Sequence, residues 1–254
     1  MWRNFFKLIG TKPKGGKAWM ALVVPLWVIV GFASAQIAVG LIIWLARLAG
    51  VSFAGINEAI FSTVLSAIIY LLTIAIVIGL PWVVRRVRTT KEELGSTRYP
   101  NWIDILLAPA GFVLYILLSA ACTYLAMTYL TFIDFDQVQE TGFSRLGPQF
   151  EYILAFVSLV VVAPVAEEIL FRGYLLGKLR KHIATWIAVL ITSLVFAAVH
   201  LAWNVGVDVF ALSIVLCLLR ITSKSLWPSI LLHMLKNGIA FYFLFINPYL
   251  LTTL

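Results

Sequence analysis

Charge is scarce in this sequence. Asp, Glu, Lys and Arg make up 12% of its 254 residues, against 62% hydrophobic. Such a chain has too little polar surface to cover a soluble domain, and its mean hydropathy of +1.01 marks a polytopic membrane protein. Acidic residues are fewer than basic ones, 11 against 19. The resulting net charge of +8 is accounted for by a basic bias toward one membrane face and implies no nucleic-acid partner. There are two cysteines, Cys122 and Cys217, both in apolar runs, so a disulfide framework is excluded and small core residues are expected. Internal repeats and low-complexity tracts are absent, as are paired broken helices, which argues against an inverted-repeat transporter. No H-E-x-x-H run brings zinc ligands together on one helix. No cleavable signal is expected, because the first apolar run is too long and lacks a small-residue cleavage site.

What the chain does have is long apolar runs. They predict an all-α polytopic membrane protein with about seven transmembrane helices: Trp19–Arg47, Glu58–Val84, Trp102–Thr131, Glu151–Lys178, Thr185–Leu201, a short Val205–Leu219, and Leu226–Asn247. Three regions follow from this. Residues 1–18 form a basic interfacial segment with Arg3, Lys7, Lys12, Lys14 and Lys17 among aromatic and aliphatic residues. Residues 19–150 hold three accessory helices, with Pro109 a candidate kink in the third and Asn101 a candidate helix start. Residues 151–254 hold the chemistry-bearing helices. Basic residues cluster at the N-terminus, after the second, fourth and sixth spans, and acidic ones in the alternate loops. That pattern predicts a bacterial-type plasma (inner) membrane protein with a cytoplasmic N-terminus and an outside C-terminus.

One stretch stands out in the fourth span: Glu167 and Glu168, followed by Arg172. A charge near the bilayer centre costs roughly 3 kcal/mol on insertion scales, so these residues must face protein or a water-filled cavity. Glu168 and Arg172 are four apart in the favourable order and can neutralise each other on one helix face. Glu167 is turned about 100° away from Glu168 and has no partner on its own helix. A spare carboxylate in a dry setting suits a general base. The alternative is that all three charges form a structural network pinning helices together.

Further polar residues follow. Phe196 and His200 are four apart in the fifth span, and His233 and Asn237 are four apart in the seventh. His182 sits beside Lys181 at a helix boundary and reads as a solvated loop residue. Lys236 lies three residues from His233 and is expected to pair, with Asp208 as one candidate. At about 1.5 Å per residue, helix tilt and a turn or two of overhang permit Glu167, His200, His233 and Asn237 to share one level in the inner half of the membrane. Intramembrane ionisable groups are rare and tend to converge.

The three patterns Glu167-Glu168-x-x-x-Arg172, Phe196-x-x-x-His200 and His233-x-x-x-Asn237 resemble, in order and spacing, the motifs of the CPBP family. These are the CAAX prenyl-protease and bacteriocin-processing membrane proteins, also called the Abi family. The resemblance covers roughly residues 150–245 and gives 151–254 the reading of a CAAX-protease-like core. It implies an intramembrane glutamate-dependent endopeptidase acting on a membrane-associated peptide or protein in the lipid bilayer. In that reading Glu167 and His200 activate water, His233 and Asn237 stabilise the oxyanion, and Glu168 with Arg172 holds the architecture. Lys236 is a departure, a cation where an apolar or small residue is expected. No cofactor is expected. The alternatives are a zinc-dependent variant using Glu167, His200 and His233 as a His₂Glu site, and a non-proteolytic scaffold or immunity-type partner of the same fold.

Overall fold

The computed structural model describes residues 15–135, 137, 143 and 146–248. Most of the basic N-terminal segment lies outside these residues, as do Asp136, Glu140 and Arg145 of the longest loop. Every regular element among the described residues is helical. In chain order they are α1 (Met20–Leu48), α2 (Glu58–Arg85), the short α3 (Lys91–Leu94), α4 (Trp102–Tyr129), α5 (Gln149–Leu179), α6 (Thr185–Ala198), α7 (Trp203–Ser223) and α8 (Trp227–Ile246).

Six of these helices are long and apolar enough to cross a membrane. Their outer surfaces expose large apolar side chains such as Leu22 (77%), Leu71 (68%) and Leu106 (69%). Apolar surface of that extent is tolerated only where lipid replaces water. The chain is an integral membrane protein. The expected count of seven spans is not matched: α6 has 14 residues, about 21 Å, short of the roughly 30 Å hydrocarbon core. In contrast α7, expected to be short, has 21 residues. Neither Pro25 nor Pro109 interrupts its helix.

The chain divides into two compact units whose boundaries fall inside α1, α5 and α8: Met1–Ile29, Thr89–Gln139 and Glu168–Leu232 form one, Val30–Arg88, Glu140–Glu167 and His233–Leu254 the other. In the first unit, α7 packs against α4 and α6. Ala108, Tyr115, Leu212, Val215, Leu216, Leu219 and Leu232 make its core. Small buried residues, Ala188, Thr192 and Ser193 on α6 and Ala211 and Ser213 on α7, line the helices, as expected where backbones approach closely. Asn101 starts α4 through a capping box with Asp104, whose carboxylate also takes both arms of Arg98 at 2.5 and 2.7 Å.

The loop between α2 and α4 is more ordered than a plain connection. Thr90 caps α3, and Gly95 ends it with φ +78°, a left-handed conformation that favours glycine. The buried Arg220 of α7 donates to the last carbonyls of α3, at Glu93 (3.0 Å) and Glu92 (3.4 Å). Glu93 itself pairs with Lys178 at 2.8 Å and with Lys181. In the second unit, Asn57 caps α2 and donates to Glu151 at 2.6 Å. Ala59, Phe143, Ala155, Val160 and Phe241 form that unit's core.

Candidate functional site

Helix α5 departs from α geometry twice. Its turns widen to π at Val157–Val162 and again at Ile169–Leu175, bracketing the six α residues Ala163–Glu168 that carry both glutamates. Proline explains the first departure. Pro164 has no N–H, and its ring crowds the preceding carbonyls, a conflict that a wider turn relieves. The same pairing recurs in α2, where the π turn Ala75–Gly79 precedes Pro81. In α5 the Ala163 N–H bonds back to Ser158, five residues earlier. In that register the Leu159 carbonyl faces the proline nitrogen and finds no donor. Asn237 Nδ2 supplies one, at 2.9 Å.

The second unit holds Glu167, His233 and Asn237. The Tyr70 hydroxyl, from α2, donates to Glu167 Oε1 at 2.5 Å. His233 Nε2 stands 3.8 Å from Glu167 Oε2, an ion-pair separation longer than a hydrogen bond. The two carboxylate oxygens are therefore addressed by different helices, while the side chain keeps 16% exposure. This corrects the expectation that Glu167 is a carboxylate without partners. Its own helix offers none, but α2 and α8 do. Asn237 is also committed in part, since one of its two amide hydrogens goes to Leu159.

The first unit holds the rest. Glu168 Oε1 accepts from Arg172 Nη1 at 2.8 Å, with both side chains fully buried. The guanidinium carbon lies 4.3 Å from the centroid of the Phe196 ring. Arg172 Nε and Nη2 have no hydrogen-bond acceptor among the described residues, so the π face of Phe196 supplies the remaining electrostatic contact. Phe196 is itself fully buried and packs edge-on against Phe171 and His200, each at 4.9 Å. His200 Nδ1 lies 2.7 Å from the Phe196 carbonyl. A carbonyl only accepts, so Nδ1 carries the hydrogen of this contact. Directly after it, Leu201 takes φ +56° and turns the chain toward α7, a conformation costing about 1–2 kcal/mol. An apolar cavity of about 810 Å³ in this unit is walled in part by Ala197, Ala198 and Leu201, the sequence neighbours of His200.

The segment that contains all these motif residues is also the one with known likenesses. Residues 149–239 match the family described as Type II CAAX prenyl endopeptidase Rce1-like. The chain is 27% identical over 138 residues to the membrane-embedded CAAX protease MroQ of Staphylococcus aureus (strain USA300), covering 49% of this chain and 56% of that protein. Over the matched segment the chain is thus similar to CPBP-type membrane proteases. A second match is an uncharacterized 24.3 kDa protein of Escherichia coli, 34% identical over 89 residues, covering 33% of this chain and 41% of that protein. The matches thus span about half the length of these relatives. No solved structure matches.

Other polar residues distribute around these two groups. Asp208 on α7 accepts hydroxyl donors from Tyr115 (2.7 Å) and Ser119 (2.6 Å) of α4. His182 is half-buried rather than fully solvated, and its basicity is lowered by burial and by Lys181, Lys17 and Lys178. Lys236 lies on α8, in the unit that holds Glu167. Both cysteines are free. Among the described residues no group of three or more His, Cys, Asp or Glu is placed to share a metal ion. The site residue that the sequence reading missed is Tyr70, which lies outside the matched segment. One signal was available. Tyrosines of membrane helices concentrate at the two interfaces, whereas Tyr70 is near the middle of α2, with twelve residues before it and fifteen after.

Proposed function

We propose that this protein is a glutamate-dependent intramembrane endopeptidase acting on a membrane-associated protein or peptide. Glu167, assisted by His200, takes a proton from water as the oxygen attacks the scissile carbonyl carbon. The negative charge that develops on the carbonyl oxygen is met by His233 and the free amide hydrogen of Asn237. Collapse of the intermediate breaks the C–N bond, and the departing nitrogen takes up the proton. Glu168 and Arg172 act on architecture alone.

The observation that carries this reading is Glu167, a carboxylate in an apolar helix that accepts from the Tyr70 hydroxyl and stands 3.8 Å from the His233 imidazole. A general base must be a group of this kind, held within reach of the proton it takes. Donors aimed at an oxyanion gain strength where water is sparse. The apolar cavity beside the His200 segment suits a substrate that brings apolar surface with it. The names of the relatives make a CAAX-type terminus the first substrate sequence to try.

The test compares membranes containing the wild-type chain with membranes containing Glu167→Gln, by mass spectrometry of released peptides. A product peptide present only with wild type is expected. It should persist after chelation and dialysis, since the proposed chemistry uses no metal. Loss on chelation with recovery on adding Zn²⁺ would transfer the reading to a zinc enzyme. Equal products from the two membranes would favour a non-proteolytic partner of the same fold.

A further inference from the structure

We infer that Tyr70 is a positioning residue for Glu167, holding its carboxylate in the orientation from which it takes the proton of water. The inference rests on the proteolytic reading above. Three observations carry it.

The first is location. Tyr70 sits near the middle of a 28-residue apolar helix. A hydroxyl at that depth has no bulk water and needs a protein partner. Its helix neighbours Leu71 and Ile68 are exposed toward lipid, at 68% and 46%, whereas Tyr70 is not. The second is the contact. At 2.5 Å the bond to Glu167 Oε1 lies at the short end for O–H···O⁻ pairs, where a charged acceptor strengthens the bond. The third is the support behind the ring. Phe32 of α1 packs against it at 6.5 Å.

A neutral donor at this position does something that Arg172 does for Glu168 in a different way. It fixes one oxygen and orients the carboxylate without itself supplying a permanent positive charge. With Oε1 held, the second oxygen, Oε2, is left toward His233. Tyr70 does not touch the reacting atoms in this assignment. It acts through Glu167.

The test uses the full-length chain in proteoliposomes. The probe is an internally quenched peptide spanning the cleavage site found in the membrane comparison. Tyr70→Phe removes one oxygen and keeps the ring that packs on Phe32. The expected result is a fall in kcat of about 10–100-fold, the scale of a slightly misplaced catalytic group, with KM within twofold and an unchanged melting temperature. A second variant guards against a folding defect: 3-fluorotyrosine placed at position 70 keeps the hydroxyl and should keep at least a third of the wild-type kcat. Wild-type kcat in Tyr70→Phe, while Glu167→Gln is inactive, would overturn the Tyr70 assignment and leave the protease reading standing. So would a loss explained by a lowered melting temperature and shared by the fluorotyrosine chain. If Glu167→Gln is fully active, or wild type releases no peptide, the protease reading fails and the Tyr70 role fails with it.

Discussion

Glu167 and Glu168 are consecutive residues of one helix, yet their surroundings are opposite in kind. Glu168 meets a guanidinium at 2.8 Å in a fully buried pair backed by an aromatic ring. Glu167 meets a phenol hydroxyl and, at 3.8 Å, an imidazole, and keeps part of its side chain accessible. About 100° of helical rotation separates the two side chains, which is enough to send them to different neighbours. A carboxylate locked to a permanent cation stays ionised and serves as a structural charge. One oriented by a hydroxyl and an imidazole has the geometry asked of a general base.

This contrast can be broken by substitution. The largest effect is expected at Glu167. Glu167→Gln should lower cleavage by roughly 10²–10⁴-fold, the usual contribution of a general base. Its amide oxygen can still accept from Tyr70, so the melting temperature in detergent should hold. Glu168 and Arg172 should behave the other way round. Removing one partner of a buried ion pair leaves the other uncompensated, at a cost of about 3–5 kcal/mol. Arg172→Ala and Glu168→Gln should therefore reduce melting temperature and membrane abundance, with activity falling in proportion to folded protein. Equal destabilisation by Glu167→Gln would show that both glutamates belong to one structural network and erase the contrast.

Asn237 sharpens the comparison because it stands on both sides of it. Asn237→Ala should cut kcat by roughly 10²–10³-fold, as loss of an oxyanion donor does. It also strands the Leu159 carbonyl beside Pro164, which should cost about 1–3 kcal/mol of stability. His233→Ala leaves the Leu159 bond in place and should lower kcat on a similar scale. An unchanged melting temperature in Asn237→Ala would contradict the role assigned to the Leu159 bond.

The smallest effect is expected at the loop latch. Burial alone would raise the pKa of Glu93, but hydrogen bonds and charge from Lys178 and Lys181 outweigh it and hold the carboxyl below its ordinary range. A depressed folded pKa stabilises above the unfolded value and is lost as pH falls through the folded one. The latch should therefore hold at neutral pH and release in acid, below the ordinary range of a glutamate carboxyl. Glu93→Ala should cost less than about 1 kcal/mol, as partly exposed pairs do. Hydrogen exchange of residues 90–96 at pH 7 and pH 3.5 reads it directly. Equal protection at both would mean that Arg220, bonded to the α3 carbonyls, holds the loop alone.

Much of this was legible in the amino acids because it depends on spacing along one helix. Apolar runs specify membrane helices, and their ends were read closely for α2, α5 and α8. The Glu168–Arg172 pair joins residues four apart on one helix. The Asn101 helix start was equally local. Crossing a membrane is a matter of length, and there α6 fell short and α7 exceeded expectation, because small and polar residues at their ends blur where each helix stops.

What the sequence by itself determined is the class of protein, the family motifs, and the fact that Glu168 has a cation on its own helix while Glu167 does not. Tertiary structure alone decided what Glu167 meets instead. Tyr70 is 97 residues away in the chain, and the Leu159 carbonyl is 78 residues from the Asn237 amide that serves it. The physical reason is that a helix's own periodicity selects neighbours only three or four residues apart. Which side chain from another helix satisfies a polar group at membrane depth depends on packing, on tilt, and on turns widened by a proline that cannot donate.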